Sequence, residues 1–479
     1  MMEHGLIILV LIVTLYYGLK HRPWKQEFYL AGRQAGSVQV AGSLLATSLG
    51  GSAVFGLVGK ASEIGWAAFW WLGGGAAGLL LLGLLWTTSM RRRPDNITLP
   101  QWLAAGYGEP ARYLSAVLIA IMWIGVVSAQ WIAAGTLLNS LAGWPMALGI
   151  SIMAFTSVIY TSAGGQSSVL RTDILQTLAI FGSLLLTAVF IIFQERLTEL
   201  IELFRVAARA SEAEGNGQVV LTPFSWLSLM LVVGGMYVVG PDMYSRVVAA
   251  RSDRQARRGA LLAAAGLLGC ALLLTFLGMF AGASGMEGEA GDQALAWLID
   301  RRLPFPLSSL LQAALLAALL SSADTCMLTA ASVINLDVLK KQGNDGSKKV
   351  GRTRLLVAVI GGAAAAVAMV SPRIIGNIMM AYAVYAGGLL VPLLLLRFSW
   401  RRVLRPGWVW TAMGLGGAVP LAALIGGWFP SPDFMLSQAM AGMTGALLSG
   451  VFCLIALVAG GRHGHRHTDG HGLTRTDTD

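Results

Sequence analysis

Apolar runs of about 20 residues recur along nearly the whole 479-residue chain. A run of this length crosses the ~30 Å hydrocarbon core of a bilayer as an α-helix, because a helix satisfies its own backbone hydrogen bonds. Charged residues make up 12% of the chain, against roughly 25% in an average soluble domain. The sequence therefore predicts an all-α membrane protein, a single bundle of many helices without a soluble domain.

The apolar runs predict about thirteen transmembrane helices. The predicted spans are 4–20, 36–62, 65–90, 113–141, 145–163, 168–193, 223–246, 259–285, 305–336, 354–371, 374–397, 407–429 and 434–461. The predicted divisions are an N-terminal extra helix with an inner loop (1–35), a first set of five helices (36–193), an outer amphipathic segment (194–222), a second set of five helices (223–397), two C-terminal helices (398–461) and a disordered cytoplasmic tail (462–479).

Positive charge indicates the orientation. With the N-terminus outside, 27 of the 34 Lys and Arg residues, Arg246 among them, lie on the cytoplasmic side, which is the asymmetry of the positive-inside rule. The net charge of +10 therefore reports topology, and no nucleic-acid partner is expected. We expect a multi-pass protein of the plasma (cell inner) membrane with a cytoplasmic C-terminus, embedded in lipid as a monomer or a loose homo-oligomer.

The residues that usually hold cofactors are poorly placed for that task. Cys270, Cys326 and Cys453 lie in apolar runs without CxxC spacing, so neither a disulfide framework nor a zinc site is indicated. All six histidines lie in termini or loops, which disfavours a haem-bearing redox subunit. No cofactor and no enzyme activity are expected. The His-rich tail is predicted to be disordered, with metal binding as the alternative.

Two spans are interrupted in the middle, where the chain reads "LLATSLGGSAVFGL" and "LVVGGMYVVGPDMYS". Glycine pairs and Pro241 weaken a helix, and freed backbone groups at membrane depth are tolerated where they line a cavity or are buried in protein. Close helix packing at small residues is the alternative. Without the first span, the next ten form two sets of five, each headed by an interrupted span. This order predicts an inverted-repeat transporter with a substrate site near the membrane midplane.

The ninth span carries oxygen atoms on one helical face. Ala318, Ser321, Ser322 and Thr325 stand at i, i+3, i+4 and i+7, and Asp324 follows Ser321 by three. Serine and threonine can instead bond their own helix or a neighbouring one. A carboxylate at membrane depth is costly and usually functional, so Asp324 favours a functional face.

A small alkali ion that loses its water needs several oxygen ligands. The hydroxyls of the ninth span, the carbonyl of Ala318 and the carbonyls freed near Ala46 and Leu49 could supply them together. The sequence therefore indicates a small alkali ion as a bound ion.

Several segments together resemble the sodium/solute symporter family, whose members share the five-plus-five inverted-repeat fold first met in a bacterial leucine transporter. The matching segments are "FYLAGRQAGSVQVAGSLLATSLGG", "GGQSSVLRTDILQ", "GPDMYSRVVAARSDRQARRGA" and "SSADTCMLTAASVINLDVLKK". The resemblance implies a main sodium site at Ala46, Leu49, Ala318, Ser321 and Ser322. It also implies two discontinuous core helices and transport of solute without a cofactor.

The resemblance further implies a possible second cation site at Asp173, Ser321, Asp324 and Thr325. Asp324 stands where family members carry a hydroxyl, so a sodium ligand, a proton carrier and a structural role all stay open.

The implied substrate pocket is lined by five core helices. Its candidate residues are Thr47, Ser48, Gly51, Ser52, Phe55, Ser128, Gln130, Trp131, Gly235, Met236, Tyr237, Tyr382 and Tyr385. The aromatic cage of the choline-transporting branch looks absent, because the matching positions are Ser48 and Gly240. The substrate stays open among amino acids, small carboxylates and neutral polar solutes.

The expected function is sodium-coupled import of such a solute by alternating access. A proton-coupled transporter of the same fold and a transporter-like membrane sensor are the alternatives. Lys60 and Glu63, near the outer end of the first core helix, are expected to pair with each other, and attraction of an anionic solute by Lys60 is the alternative.

Overall fold

The computed structural model describes residues 16, 29, 33–91, 98–195, 205, 222–284, 293–339, 346–371, 374–397, 404–426 and 434–464. The described chain is nearly all helical. The helices are α1 (Ser37–Ser48), α2 (Gly51–Ile64), α3 (Trp70–Leu81), α4 (Thr87–Arg91), α5 (Leu99–Tyr107), α6 (Glu109–Ala142), α7 (Met146–Gln194), α8 (Pro223–Leu229), α9 (Gly235–Val239), α10 (Pro241–Ala249), α11 (Asp253–Ala283), α12 (Ala294–Arg302), α13 (Leu307–Val333), α14 (Gly346–Val370), α15 (Ile374–Tyr385), α16 (Val391–Arg397), α17 (Pro406–Ile425) and α18 (Phe434–Gly464).

Short turns of other helix types join several of these elements into longer rods. A 3₁₀ turn, Gly65–Phe69, links α2 to α3. The π turns are Leu82–Trp86, Met230–Gly234, Ile334–Val338 and Ala386–Leu390. Because such turns leave the chain direction largely unchanged, α3 with α4, α8 with α9, and α15 with α16 each form one continuous span.

Ten helices within the described ranges are long and apolar enough to cross a membrane, so the chain is a multi-pass membrane protein. The predicted span 4–20, the amphipathic segment 194–222 and the tail 462–479 lie almost wholly outside the described residues. The total of thirteen spans, the division boundaries and the orientation of the termini therefore stay predictions.

The two predicted interruptions are confirmed. The first break, Leu49–Gly50, separates α1 from α2, and Gly50 leaves the helix with φ −53° and ψ 153°. The second break is Gly240 between α9 and α10, with φ −57° and ψ 144°. Pro241 follows it at the first position of α10, where its missing N–H costs no helical hydrogen bond.

Helix α7 is bent where two spans were predicted. Gly165 has φ +58°, in the left-handed region that side-chain-bearing residues rarely adopt, and it separates a first half from a second half. Helix α13 lies at the centre of the bundle, where it packs against α1, α6 and both halves of α7. The interruptions and the hydroxyl face of α13 thus meet in the core.

Candidate functional site

The first break lies against the hydroxyl of Ser322 on α13. Ser322 Oγ donates to the carbonyl oxygens of Ala46, at 3.1 Å, and of Thr47, at 3.4 Å. These carbonyls belong to the last turn of α1, where a helix leaves its C=O groups without internal partners. Two chemical groups that are expected to bind sodium, a freed backbone carbonyl and a serine hydroxyl, are therefore neighbours.

Glycine at position 50 allows this close approach. A Cβ atom on Gly50 would lie 2.6 Å from Ser322 Oγ and 2.9 Å from Gln130 Nε2. Leu49 and Ala318 complete the predicted ligand set, and both are fully buried. Ala318 lies one helical turn before Ser322 on the same face of α13.

The neighbouring hydroxyl, Ser321, faces a carboxylate instead of the first break. Ser321 Oγ donates to Asp173 Oδ1 at 2.5 Å, and Ser43 of α1 donates to Asp173 Oδ2. Asp173 is fully buried in the second half of α7. Since consecutive residues of a helix are rotated by about 100°, Ser321 and Ser322 place one hydroxyl on the carboxylate and one on the break.

Arg246, which the sequence placed among the topology-determining residues, is fully buried in this core. Its Nε donates to Ser43 Oγ at 3.1 Å, and its Nη2 donates to Thr325 Oγ1 at 2.5 Å. Ser43 therefore links the guanidinium to the carboxylate of Asp173. This chain of contacts joins α10 of the second broken helix to α1 of the first.

The predicted second cation site is divided between two groups of contacts. Thr325 accepts from Arg246, whereas Asp324 Oδ1 accepts from Ser157 and from Thr161, the latter at 2.6 Å. Both of these hydroxyls belong to the first half of α7. Asp324 Oδ2 has no hydrogen-bond partner among the described residues. Asp324 therefore lies apart from the hydrogen bonds that Asp173 and Thr325 make.

A cavity lies beside the first break. Its lining residues are Thr47, Ser48, Gly50, Ala53, Trp71, Trp123, Val126, Gln130, Met236, Tyr237, Asp242, Met243, Ser322, Cys326, Ile378 and Tyr382. Both broken helices, α3, α6, α13 and α15 contribute to this wall. Ser322 lines the cavity and also contacts the freed carbonyls of α1, so the cavity lies next to these carbonyls.

Six of the predicted substrate residues line the cavity, namely Thr47, Ser48, Gln130, Met236, Tyr237 and Tyr382. Five others lie outside its lining and pack within the core: Phe55, Ser128, Trp131, Gly235 and Tyr385. Gly51 and Ser52 begin α2 directly after the first break.

The five residues outside the lining have structural partners or surroundings of their own. Ser128 donates to the carbonyl of Gly125 at 2.7 Å, and Tyr385 donates to that of Val239 at 2.6 Å. Gly235 packs against the side chain of Leu390, whose methyl carbons would lie 2.9 Å from a Cβ atom. Phe55 and Trp131 are fully buried in the apolar core.

Sequence reasoning missed several residues of the cavity wall. Trp71 and Trp123 come from α3 and α6, and Cys326 follows Ser322 by one turn of α13. Asp242 is not among the predicted pocket residues, but only 3% of its surface is exposed and it lines the cavity. The Gly-Pro-Asp order was the available signal, because it places an acid at the start of a helix that begins at membrane depth.

A family model described as the sodium:solute symporter family matches residues 28–416, which is most of the chain. The chain belongs to this family. The osmoregulated proline transporter OpuE of Bacillus subtilis (strain 168) is 23% identical over 464 residues, covering 91% of this chain and 92% of that protein. The sodium/glucose cotransporter of Vibrio parahaemolyticus is 22% identical over 371 residues, covering 70% of this chain and 68% of the relative.

A solved structure shares the fold of this chain. It is the substrate-bound outward-open state of a Na⁺-coupled sialic acid symporter, with a TM-score of 0.81 at 17% identity, covering 95% of this chain and 98% of that one. The predicted all-α fold with two discontinuous core helices is therefore confirmed. This member of the symporter family is a transporter and not an enzyme.

Proposed function

We propose that this symporter couples the inward movement of sodium to the import of a small polar organic solute by alternating access. The observation that carries the proposal is the contact of the Ser322 hydroxyl with the freed carbonyl of Ala46. Hydroxyl and carbonyl oxygens are hard ligands, which suits an alkali ion and not a transition metal. Sodium is here a transported ion, and Ala46, Leu49, Ala318, Ser321 and Ser322 are its proposed ligands.

The charge of Asp173 supports a cation at this place. A buried carboxylate is costly unless a positive charge or hydrogen bonds compensate it. Asp173 has hydrogen bonds from Ser321 and Ser43, and the next residue along α13, Ser322, reaches the first break. A membrane potential of about 100 mV contributes about 2.3 kcal/mol for each positive charge that enters, so one sodium per cycle drives useful accumulation.

The N-terminal end of α1 and the C-terminal end of α10 are tied together, as alternating access requires of a closed side. The Ala35 N–H donates to the carbonyl of Ala249 at 3.1 Å, and the Arg251 N–H donates to that of Ala35 at 2.9 Å. Arg91 Nη1 donates to the carbonyl of Val247, at 3.0 Å. In the orientation predicted from the sequence, with the N-terminus outside and the C-terminus cytoplasmic, this closed end is the cytoplasmic one.

The test is a thermal-unfolding screen of the purified chain against amino acids, small carboxylates and neutral polar solutes, in NaCl and in KCl at equal ionic strength. We expect at least one solute to stabilise the protein in NaCl and not in KCl, because ligands of the folded state raise its apparent stability. The double variant Ser321→Ala with Ser322→Ala should lose this difference. Equal stabilisation of the unaltered protein in both salts would contradict sodium coupling.

Proton coupling within the same fold is the second candidate, and Asp324 is the observation that favours it. Its Oδ2 is buried and has no hydrogen-bond partner among the described residues, and an ionisable group at membrane depth is a common proton carrier. Under this candidate, solute uptake into proteoliposomes would follow an imposed pH gradient without sodium, and Asp324→Asn would abolish it. Uptake that needs sodium and ignores the pH gradient would exclude it.

A further inference from the structure

The side chain of Asp242 is a buried acid that faces the cavity. Only 3% of the residue is exposed, its Oδ1 has no hydrogen-bond partner among the described residues, and it belongs to the cavity lining. Asp242 is the second residue of α10, directly after the second break. The helix end favours a negative charge there, and the unpartnered oxygen needs a hydrogen-bond donor.

The hydroxyl groups next to this cavity present acceptors as well. Thr47 Oγ1 donates to the carbonyl of Ser43 at 2.9 Å, and Ser48 Oγ donates to that of Leu44 at 2.6 Å. A hydroxyl that gives its single proton to its own helix has only lone pairs left for other partners. The lining therefore offers a carboxylate and two acceptor oxygens to a ligand rich in donors.

The buried charges near the cavity do not balance. Asp173, Asp242 and Asp324 are at most 3% exposed, and Arg246 is the buried cation among them in the described core. A buried acid elsewhere, Asp337, has its own partner in Arg112 at 2.6 Å. Asp324 lies apart, with the hydroxyls of Ser157 and Thr161. Arg246 is joined to Asp173 through Ser43. Asp242 is therefore the acid that keeps an oxygen for a positive group in the cavity.

We propose that the cavity binds a solute carrying an ammonium group with at least one N–H, which donates to Asp242 Oδ1 and lies among the side chains of Trp71, Tyr237 and Tyr382. The inference rests on the proposed sodium-coupled transport and names its substrate class. Aromatic faces attract a cation, which adds to the charge of Asp242. A quaternary ammonium lacks the N–H that the acceptors require, so it is a poorer ligand.

The cavity also holds a donor for a second group of the same solute. The indole Nε1 of Trp123 is buried without a hydrogen-bond partner among the described residues, and Trp123 lines the cavity. An acceptor on the solute, such as a carboxylate or a carbonyl oxygen, would satisfy it. Zwitterionic amino acids and simple amines share the ammonium group and differ in this acceptor.

The experiment is a thermal-unfolding panel of the full chain in NaCl with L-alanine, L-proline, ethanolamine, choline, lactate and glucose at matched concentrations. We expect stabilisation by solutes with an N–H-bearing ammonium and not by lactate or glucose. Stabilisation by ethanolamine alongside the amino acids would show that the ammonium group is sufficient for binding. Stabilisation by the amino acids alone would show that binding also requires the carboxylate. Stabilisation by choline equal to that by ethanolamine, or by the neutral or anionic solutes alone, would overturn the inference.

The matched variant Asp242→Asn keeps the shape of the side chain and removes its charge. We expect it to weaken the apparent affinity for the stabilising amine about ten- to a hundredfold and to keep the stabilisation by NaCl alone. Asp300→Asn makes the same change on an exposed residue of α12 and should leave the affinity unchanged. If no amine stabilises the protein while NaCl alone still does, the substrate class is wrong and sodium binding stands. If NaCl also has no effect, the proposed function fails as well.

Discussion

The two breaks each interrupt a membrane-spanning helix, yet the carbonyls that they free have different partners. At the first break, the carbonyls of Ala46 and Thr47 contact a small hydroxyl, that of Ser322. At the second break, the carbonyl of Val239 accepts from the phenol of Tyr385 at 2.6 Å. A serine hydroxyl can turn aside and ligate an ion, whereas the rigid phenol has a fixed position.

The difference shows how a repeated fold can serve two purposes. The first break places its carbonyl oxygens against a single small hydroxyl, as the proposed sodium site needs. The second break places charged residues, Asp242 and Arg246, at the start and near the end of a short helix. Tyr237 connects the two broken helices, since its hydroxyl lies 3.5 Å from the carbonyl of Ser48. The proposed ion site and the proposed solute site are therefore neighbours at these two breaks.

Removal of the Arg246 guanidinium, which links the two broken helices, is expected to have the largest effect. In Arg246→Met, Ser43, Thr325 and the carbonyl of Asp242 lose their donor, and the nearby carboxylates lose a buried cation. We expect a loss of about 3–5 kcal/mol in the free energy of unfolding in detergent. Arg254→Met, on an exposed residue at the start of α11, is the control and should change little. A similar small loss in both variants would show that Arg246 does not couple the helices.

The glycines at the two breaks should respond differently to a methyl group. In Gly240→Ala the new Cβ would lie 2.5 Å from the backbone oxygen of Met236, so the backbone must shift. We expect a loss of about 1–3 kcal/mol in unfolding free energy. In Gly50→Ala the new Cβ would lie 2.6 Å from Ser322 Oγ and 2.9 Å from Ser322 Cβ, so the hydroxyl and the helix α13 that carries it must both give way. We therefore expect a similar stability loss in the two variants and a clear fall in sodium affinity in Gly50→Ala alone, and an equal fall in sodium affinity in both would break the comparison.

Tyr385→Phe tests whether the partner of the second break is structural. The variant keeps the ring and removes the donor to the buried carbonyl of Val239. We expect a loss of about 1–2 kcal/mol in unfolding free energy, with a smaller change in sodium affinity than Gly50→Ala causes. Isotope binding and chemical denaturation of the same preparations measure both quantities. An equal fall in sodium affinity would mean that the two breaks act as one unit.

Lys60→Ala should have the smallest effect, because position 60 lies far along α2 from the first break. Lys60 Nζ and Glu63 Oε2 are 2.7 Å apart, and their side chains are 20% and 44% exposed. Exposed pairs of this kind contribute about 0–1 kcal/mol, so neither stability nor sodium affinity should change much. The same substitution checks the alternative role of Lys60, since attraction of an anionic solute would raise the apparent KM of uptake.

Much of the fold follows from local rules in the sequence. Glycine pairs and Pro241 predicted both interruptions, because these residues weaken helices wherever they occur. The helical period brought Ser322 to the side of α13 that meets α1, as expected. The bend at Gly165 separates two spans that hydropathy had already divided.

The cavity wall was harder to predict because it depends on how distant helices rotate against one another. Trp71 and Trp123 belong to apolar spans in which every face looks alike, so nothing in the sequence marks the face that meets the cavity. Asp324 accepts hydrogen bonds from the first half of α7, although the family resemblance implied a cation site shared with Ser321 and Asp173. Arg246 looked like one more positive charge of a cytoplasmic segment, and only packing shows that it is buried.

The central claim is that the first break and Ser322 bind sodium, and equilibrium binding of ²²Na⁺ to the purified protein tests it most directly. We predict saturable binding that unlabelled NaCl displaces and KCl does not, and at least a tenfold weaker affinity in Ser322→Ala, about 1.4 kcal/mol. Ser309→Ala is the matched control, because Ser309 lies on the same helix and its buried Oγ has no partner among the described residues. Unchanged ²²Na⁺ affinity in Ser322→Ala would contradict the claim.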